Sequence, residues 1–212
     1  FADGDAFHAA ISAQLQAEYA AQGDEFMRDA WRVIAEGFWE GGASWNWDQI
    51  IAARIAHASP SAVSVFEETW EYGGGAHGNA DIRGRNFVLE RGAAKEFGLD
   101  DLFDPSRDPE ATLSKICIRE LRTQGASSIV DGSVKELSKP EMSAFTFNAS
   151  GLSICFAPYA VGAYAEGTFH VFIPWSEVRP LLRRDGPARL IPGALEDSPT
   201  AGEALGDRKL PR

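Results

Sequence analysis

Apolar residues near the start of the chain recur every four positions, which is the spacing of one face of a helix. That stripe consists of Phe7, Ile11, Leu15 and Tyr19. Asp5 suits the helix N-cap, and Gly23 suits its end. We expect a second helix to begin at Asp24 and to end among Gly37, Gly41 and Gly42. Its apolar face would carry Phe26, Ala30, Trp31, Ile34 and Phe38.

The stretch from Trp45 to His57 fits either a helix or a strand. Its β-branched residues, followed by the turn sequence Ser59-Pro60-Ser61, favour a strand. We predict that it forms a hairpin with Ala62–Tyr72. In that second strand valines at 63 and 65 alternate with serine at 64.

The middle of the chain contains one well-marked helix. Asp108 suits its N-cap, Pro109 suits its first position, and Gly125 suits its end. Before it, Arg85–Glu90 is predicted to be a strand, and residues 99–103 are predicted to form one helical turn. Residues 125–140 are small and polar and are predicted to form a loop.

The clearest hairpin lies after this loop. Ala144–Asn148 and Leu152–Ala157 alternate strictly between apolar and polar positions. A further strand is expected at Thr168–Pro174 and a short helix from Ser176 to Leu182. This order of elements predicts an α+β fold, an antiparallel β-sheet with helices packed on one face.

Composition narrows the possible partners. The 212 residues can bury one good core, or form two small subdomains that share one. The formal net charge of −11 disfavours nucleic acid. No apolar run approaches the roughly 20 residues needed to cross a bilayer, so no membrane insertion is predicted. Cys117 and Cys155 fit two buried thiols, or a disulfide if the protein is exported.

The chain has no local signature of catalysis or metal binding. Its histidines are far apart in the sequence, at positions 8, 57, 77 and 170, and no C-x-x-C or G-x-S-x-G motif occurs. Glu67 and Glu68 are adjacent in a predicted strand, so their side chains point to opposite faces and do not cooperate. We therefore predict no catalytic residue, no metal site and no cofactor.

A run of ten residues, Trp70–Asn79, has an unusual composition. Four of its glycines fall within six residues, and His77 sits among them. Such backbone turns sharply or lies very close to a neighbour. His77 fits either a structural tie within the loop or a binding role. The predicted binding residues are Tyr72, His77, Asn79, Tyr159, Tyr164 and Glu166, although the last three also fit a packed loop.

Three segments resemble the domain pair DUF4163 and DUF3298. The first, Tyr72–Gly78, matches the Y-x-GGAHG signature. The second comprises Asn86-Phe87 and then Leu99–Phe103, and the third runs from Phe145 to Val178. On this basis residues 1–61 are predicted to be a truncated DUF4163-like part, whose usual N-terminal strands are missing or lie upstream of Phe1. Residues 62–184 would be DUF3298-like, and residues 185–212 an extended tail.

The resemblance implies an extracytoplasmic, non-catalytic domain. Proteins with this pair include a lysozyme-sensing anti-sigma factor, a peptidoglycan deacetylase whose catalysis belongs to another domain, and secreted mycobacterial antigens. The expected partners are lysozyme or another cationic wall-active protein, or peptidoglycan. The alternatives are a cell-wall hydrolase or deacetylase with a site assembled from distant residues, and the sensory ectodomain of a larger membrane protein.

Overall fold

The computed structural model of the protein describes the backbone of residues 2–40 and 46–196, with side chains from 4 to 37 and from 46 to 196. The helices are α1 (Ala2–Glu40), α2 (Leu99–Leu102), α3 (Pro109–Gln124), α4 (Ser127–Val130) and α5 (Trp175–Val178). The strands are β1 (Asp48–Ala58), β2 (Ala62–Tyr72), β3 (Asn79–Glu90), β4 (Ala93–Glu96), β5 (Phe145–Phe147), β6 (Gly151–Phe156) and β7 (Phe169–Pro174).

These strands form two antiparallel sheets, in the orders β1-β2-β3-β4 and β5-β6-β7. The predicted α+β class is confirmed. The predicted hairpin of β1 with β2 is present, with Ile50 opposite Trp70. The predicted boundary between residues 1–61 and 62–184 falls inside this hairpin. The division of the chain into these parts stays a prediction.

Strand β2 is buried on both faces, which explains how the layers are stacked. Val63 and Val65 point to α1 and pack with the predicted stripe of Phe7, Ile11 and Leu15. The alternate residues face the three-stranded sheet, where Phe66 packs against Cys155. Each sheet therefore has a helix on one face, α1 on the first sheet and α3 on the second. The opposite faces of the two sheets pack against each other.

The largest core lies between α3 and the three-stranded sheet. From α3 it takes the stripe Leu113, Ile116, Cys117 and Leu121. From the second sheet it takes Phe145, Phe147, Leu152, Ile154 and Phe156. These are the inward positions that strict alternation predicted, so this half of the fold follows its sequence pattern closely.

Helix α3 begins and ends where the sequence predicts. The side chain of Asp108 accepts a hydrogen bond from the Ala111 amide, and Pro109 is the first residue of the helix. Gly125 adopts a left-handed conformation with φ of 83°, and its amide bonds back to the last turn. Local capping chemistry alone sets both ends.

Helix α1 differs from the prediction, because it is one continuous helix rather than two that meet at Gly23. A glycine inside a helix costs only about 1 kcal/mol relative to alanine, and no atom crowds the space beside Gly23. The predicted apolar face of the second half is also only partly used. Ala30 is buried, but Trp31 is 64% exposed. The predicted positions Phe38, Gly41 and Gly42 fall among residues whose side chains or backbone lie outside the described part.

Two predicted loops also differ from the prediction. Residues 125–140 include one helical turn, α4, and part of the predicted surface tail packs against the largest core. Within this tail, Pro187–Leu190 forms a 3-10 turn, and Ala188, Ile191 and Ala194 join the largest core. The tail is rich in proline and glycine, and these three residues are too few to mark a helix or strand in the sequence. Residues 197–212 of the predicted tail lie outside the described residues.

Candidate functional site

Two loops that are distant in the sequence meet at one edge of the molecule. The glycine loop between β2 and β3 brings His77, and the loop between β6 and β7 brings Tyr159 and Tyr164. The ring of His77 stacks on that of Tyr164, with centroids 4.1 Å apart and planes inclined by 20°. Its Nε2 lies 3.2 Å from the Tyr159 hydroxyl. We call these three side chains the aromatic patch.

The hydrogen bonds of His77 fix the role of each ring nitrogen. Nδ1 lies 2.8 Å from the backbone carbonyl of Gly78. A carbonyl oxygen only accepts, so Nδ1 donates, and in the neutral ring Nε2 accepts the hydroxyl proton of Tyr159. Both nitrogens therefore have hydrogen-bond partners within the two loops, and among the described residues no carboxylate contacts this ring. The arrangement fits a positioning role for His77 better than an acid–base role.

Glycine is required where the loop approaches its own strand. A Cβ on Gly78 would lie 2.3 Å from the Trp70 ring and 2.7 Å from the carbonyl of Glu71. At the tip, Gly74 and Gly75 have φ of 99° and 103°. The hydroxyl of Tyr72 donates to the carbonyl of Gly75 at 3.0 Å. The predicted close approach and the sharp turn are both present, and together they hold His77 in place.

Tyr159 lies at the exposed surface of the aromatic patch. Its side chain and backbone together are 60% exposed, and its φ is 73°. This left-handed conformation is uncommon for a bulky residue and costs of order 1 kcal/mol. An exposed aromatic ring on strained backbone is typical of a binding surface rather than of a packing role.

Glu166 supports the patch without joining its surface. Its carboxylate accepts hydrogen bonds from the backbone amides of Ser127 and Ala163, both at 3.0 Å. Hydrogen bonding from Ser127, and then from Ala163, lowers the pKa of Glu166 below its usual value. The carboxylate thereby ties the turn that carries Tyr164 to the start of α4. This contact fits the packed-loop interpretation.

The other two predicted binding residues lie apart from the patch. Tyr72 stacks almost parallel on Trp70, with ring centroids 6.3 Å apart. Asn79 is exposed at the start of β3, where it lines a cleft between α1 and the four-stranded sheet. We call this the helix cleft, and its volume is about 800 Å³.

The helix cleft is acidic and adjoins the glycine loop. Carboxylates outnumber arginines in its lining, the acidic residues being Glu18, Glu25, Asp29, Glu67 and Glu71 and the basic ones Arg32, Arg83 and Arg85. The ring of Trp47 stands against Gly73, and its centroid is 5.8 Å from that of Phe26. Through Gly73 the cleft continues into the loop that carries His77.

A buried polar cluster forms the floor of this cleft. Glu67 is only 6% exposed and accepts a short hydrogen bond from the Tyr19 hydroxyl. Arg85 lies 3.6 Å from Glu67 and also pairs with Glu18 and Glu96. Burial, followed by the hydrogen bond to Glu67, raises the pKa of Tyr19. Hydrogen bonding to Glu96 raises the pKa of Arg85. Tyr19 therefore keeps its proton and Arg85 its charge, and their contacts with the glutamates fix α1 to the sheet.

The sequence analysis missed one pair of reactive side chains. Cys155 and His170 stand opposite each other on β6 and β7, with Sγ 3.1 Å from Nδ1. Burial raises the pKa of Cys155 to about 12, and burial with the nearby Arg54 lowers that of His170. Both groups are therefore neutral at pH 7, and the arrangement is a thiol beside a neutral imidazole rather than an activated thiolate. Only the strand register brings them together, so no local motif could reveal them.

Cys117 and Cys155 are separate buried thiols in the structure. In the described ranges, 2–40 and 46–196, no group of three or more His, Cys, Asp or Glu side chains is arranged to hold a metal ion. No helix in those ranges combines the length and the apolar character needed to cross a membrane.

Comparisons with known proteins support the fold. Residues 100–176 match the family model of DUF3298, described as a protein of unknown function. The predicted resemblance to DUF3298 is confirmed over this segment, which contains Tyr159, Tyr164 and Glu166. Tyr72, His77 and Asn79 precede the segment, and the DUF4163-like part stays a prediction.

Two crystal structures of DUF3298 family proteins are similar to this chain. One, from Bacteroides fragilis NCTC 9343, superposes with a TM-score of 0.61 at 20% sequence identity, covering 82% of this chain and 70% of the other. The second, from Pseudomonas aeruginosa PAO1, has a TM-score of 0.56 at 15% identity, covering 75% of this chain and 71% of the other. Among curated proteins no match is found. At these identities the likeness shows the fold alone.

Proposed function

We propose that this chain is a non-catalytic binding domain that works outside the cytoplasm, with a cationic wall-active protein of the lysozyme kind, or peptidoglycan, as its partner. The observation that carries the proposal is the aromatic patch. Two loops 82 residues apart in the sequence converge to present Tyr159 at the surface. Aromatic rings with a polar group are enriched where proteins bind their partners.

Preorganisation also supports a binding role. His77 is held by its bond to Gly78 and by its stack on Tyr164, and Tyr159 is held by His77. A ring that is already fixed loses little conformational entropy on binding. These contacts maintain the strained backbone of Tyr159. A structural role alone would not require that strain.

Charge favours the protein partner over the glycan. The chain carries a net charge of −11, and the acidic helix cleft meets the same glycine loop through Gly73. A cationic protein approaching the aromatic patch would be attracted by this field. A neutral glycan would gain nothing from it and would depend on ring stacking alone.

Isothermal titration calorimetry with purified lysozyme and with muropeptides tests the proposal. We expect the substitution Tyr159→Asn, which removes the ring and tolerates the left-handed backbone, to weaken binding at least tenfold. Phe172→Ala is the matched control, since Phe172 is also exposed, at 46%, on β7. It should leave the affinity unchanged within twofold.

Three results would refute parts of the proposal. Silence with both ligands at high concentration would remove the named partners. Equal losses in the Tyr159 and Phe172 variants would remove the aromatic patch as the binding surface. Fractionation of cells that make the native protein, with a cytoplasmic marker enzyme as control, tests the location, and recovery with that marker would contradict it.

A further inference from the structure

The outer edge of β1 is a row of backbone groups with which no described strand pairs. β1 has 11 residues and lies at one side of the four-stranded sheet, beside β2. Every second residue of such a strand directs its N–H and C=O groups away from the sheet. Across residues 2–40 and 46–196 these groups of β1 have no strand partner. An edge of this kind is a template for pairing with another strand.

β1 lacks most of the features that usually prevent edge pairing, which are short length, lysine, proline and bulges. The opposite edge strand, β4, is four residues long, contains Lys95 and packs against the α1 cluster through Ala94. β1 contains no lysine and no proline. Its register shifts only between Ile55 and His57, so residues 48–55 are regular. This regular part is therefore open to a partner strand.

Apolar side chains are exposed along the same part of β1. Ile50 is 55% exposed and Ile55 is 72% exposed. Ala52 and Ala53, which lie between them, are exposed as well. A strip of exposed apolar side chains beside unpaired backbone is typical of an interaction surface.

The charged residues of β1, Asp48 and Arg54, can complement each other across such an interface. They are six positions apart, so their side chains lie on the same face of the sheet. Asp48 has no side-chain hydrogen bond or ion pair with another described residue. Arg54 lies over the ring of Phe66 and makes a long contact of 3.7 Å with Glu68. Because a guanidinium group has five N–H donors, Arg54 can bind a second carboxylate.

From this pattern we infer that β1 pairs antiparallel with β1 of a second copy of this chain, about a two-fold axis at Ile51. The axis places Asp48 of each copy opposite Arg54 of the other, and Ile50 opposite Ala52. Over residues 48–54 the pairing forms roughly six to eight backbone hydrogen bonds. The four strands of each copy then form one continuous sheet.

The charge pattern selects both the partner and the register. Residues opposite each other in an antiparallel pair share a face, so the register about such an axis changes only in steps of two. One step in either direction places Arg54 opposite Ile50 or Asn46 instead of Asp48. An unrelated strand would need an acidic and a basic residue at the same spacing and in the same order. A second copy supplies them by symmetry.

The pairing leaves the aromatic patch accessible. Asp48 is opposite Tyr72, the residue that precedes the glycine loop. Antiparallel pairing therefore places the glycine loops of the two copies at opposite ends of the joined sheet. The dimer and the proposed binding function are independent, and either can fail without the other.

Sedimentation velocity of the full chain over a series of concentrations tests the inference. We expect a monomer and a dimer in reversible equilibrium, without larger species, because β4 is covered in both copies. Asp48→Arg and Arg54→Asp should each weaken association at least tenfold, since each places like charges opposite one another. Asp185→Arg, at a site that is 84% exposed and outside β1, is the matched control and should change association less than twofold.

Mixing the two β1 variants gives the sharpest result. Asp48→Arg and Arg54→Asp repel their own kind, but together they restore both opposite-charge pairs. The equimolar mixture should therefore form a heterodimer with an affinity within about threefold of the wild-type dimer. Misfolded variants would not recover in this way, and circular dichroism confirms that each is folded.

Chemical crosslinking locates the axis. With a short bismaleimide, Ile51→Cys should give at least tenfold more covalent dimer than Ala56→Cys, because residues at position 56 of the two copies would be about 30 Å apart. A wild-type chain that stays monomeric up to about 1 mM, a mixture that fails to associate, an equal loss in the Asp185 variant, or equal crosslinking at the two positions would overturn the inference.

Discussion

The side-chain amide of Asn86 donates a hydrogen bond of 2.8 Å to the backbone carbonyl of Phe145, and this bond joins the two sheets in the buried interior. Ser64 completes the connection. Its hydroxyl donates to Asn86 Oδ1 at 2.7 Å and accepts from the amide of Phe147 at 3.0 Å. Strand β5 has three residues, and these side chains satisfy backbone groups that a short strand leaves unpaired.

We therefore predict that Asn86→Ala lowers the free energy of unfolding by about 2 kcal/mol, because it leaves the carbonyl of Phe145 and the hydroxyl of Ser64 buried without this partner. Urea denaturation measures the loss. The matched control is Asn79→Ala at an exposed site on the same strand, which should stay within about 0.5 kcal/mol of the wild type. Equal effects of the two substitutions would show that the connection contributes nothing.

Gly84 brings the same two strands together at close range. A Cβ at this position would lie 1.7 Å from the carbonyl oxygen of Phe145. We predict that Gly84→Ala forces β3 and β5 apart and destabilises the fold by about 4 kcal/mol or more. Gly23→Ala is the contrasting substitution, because its surroundings are open and alanine favours the helix by up to about 1 kcal/mol.

Thermal unfolding followed by circular dichroism compares the two glycine variants. Gly84→Ala should melt well below the wild type, and Gly23→Ala should melt at or above it. If Gly84→Ala is insoluble, Gly84→Ser made in parallel should fail in the same way, whereas Gly98→Ala, also at an open position, should remain soluble. A wild-type melting temperature for Gly84→Ala would contradict the close contact of the sheets.

The two buried thiols give the fold a dependence on alkaline pH. Burial raises the pKa of Cys117 and of Cys155 to about 12. In the unfolded chain a thiol ionises near pH 9, so between pH 9 and pH 12 the unfolded state releases protons that the native state keeps. The free energy of unfolding is thus unaffected by these groups below pH 9 and falls as the pH rises above it.

The expected loss is about 1 kcal/mol for each thiol at pH 10. Urea denaturation at pH 8 and pH 10 measures it, and a variant with Cys117→Ala and Cys155→Ala should lose correspondingly less. Native thiols should also resist iodoacetamide at pH 8, with free cysteine as the reference. Labelling of the folded protein at the rate of free cysteine would contradict the buried, protonated state.

Features that depend on local chemistry were predictable from the sequence, and those that depend on register or layering were not. Asp108, Pro109 and Gly125 mark α3 because caps act within a few residues. Helix α1 continues through Gly23 because the energetic cost of one glycine is small and neighbouring residues can offset it. No local sequence signal reveals this continuation. The packing of the two sheets against each other rests on Asn86 and Gly84, whose partner Phe145 is about 60 residues away.

The candidate site shows the same limit. The glycine content correctly indicated a sharp loop around His77. The structure places Tyr159 beside this loop, and the binding role of both loops stays a prediction. Their meeting could only be seen in three dimensions, as could the pairing of Cys155 with His170 across two strands. Glu166 was selected as the polar residue of this aromatic loop, and its hydrogen bonds to two backbone amides hold the loop in place.

The adjacent carboxylates Glu67 and Glu68 provide a final prediction, because the strand sends them to different environments. Glu67 is buried against Tyr19 and Arg85, whereas the side chain of Glu68 is 38% exposed and lies 3.7 Å from Arg54. We expect Glu67→Ala to lower the free energy of unfolding by about 2 to 3 kcal/mol, since it leaves a buried hydroxyl unpaired and removes a partner of Arg85.

Glu68→Ala should cost less than about 0.5 kcal/mol, as is usual for an exposed pair. A double-mutant cycle with Tyr19→Phe isolates the hydrogen bond between Tyr19 and Glu67, and we expect a coupling energy of about 1 kcal/mol or more. Urea denaturation of the four proteins supplies the values. Equal costs for the two glutamates, or no coupling in the cycle, would mean that α1 is held to the sheet by its apolar stripe alone. In that case the floor of the helix cleft could be redesigned without loss of the fold.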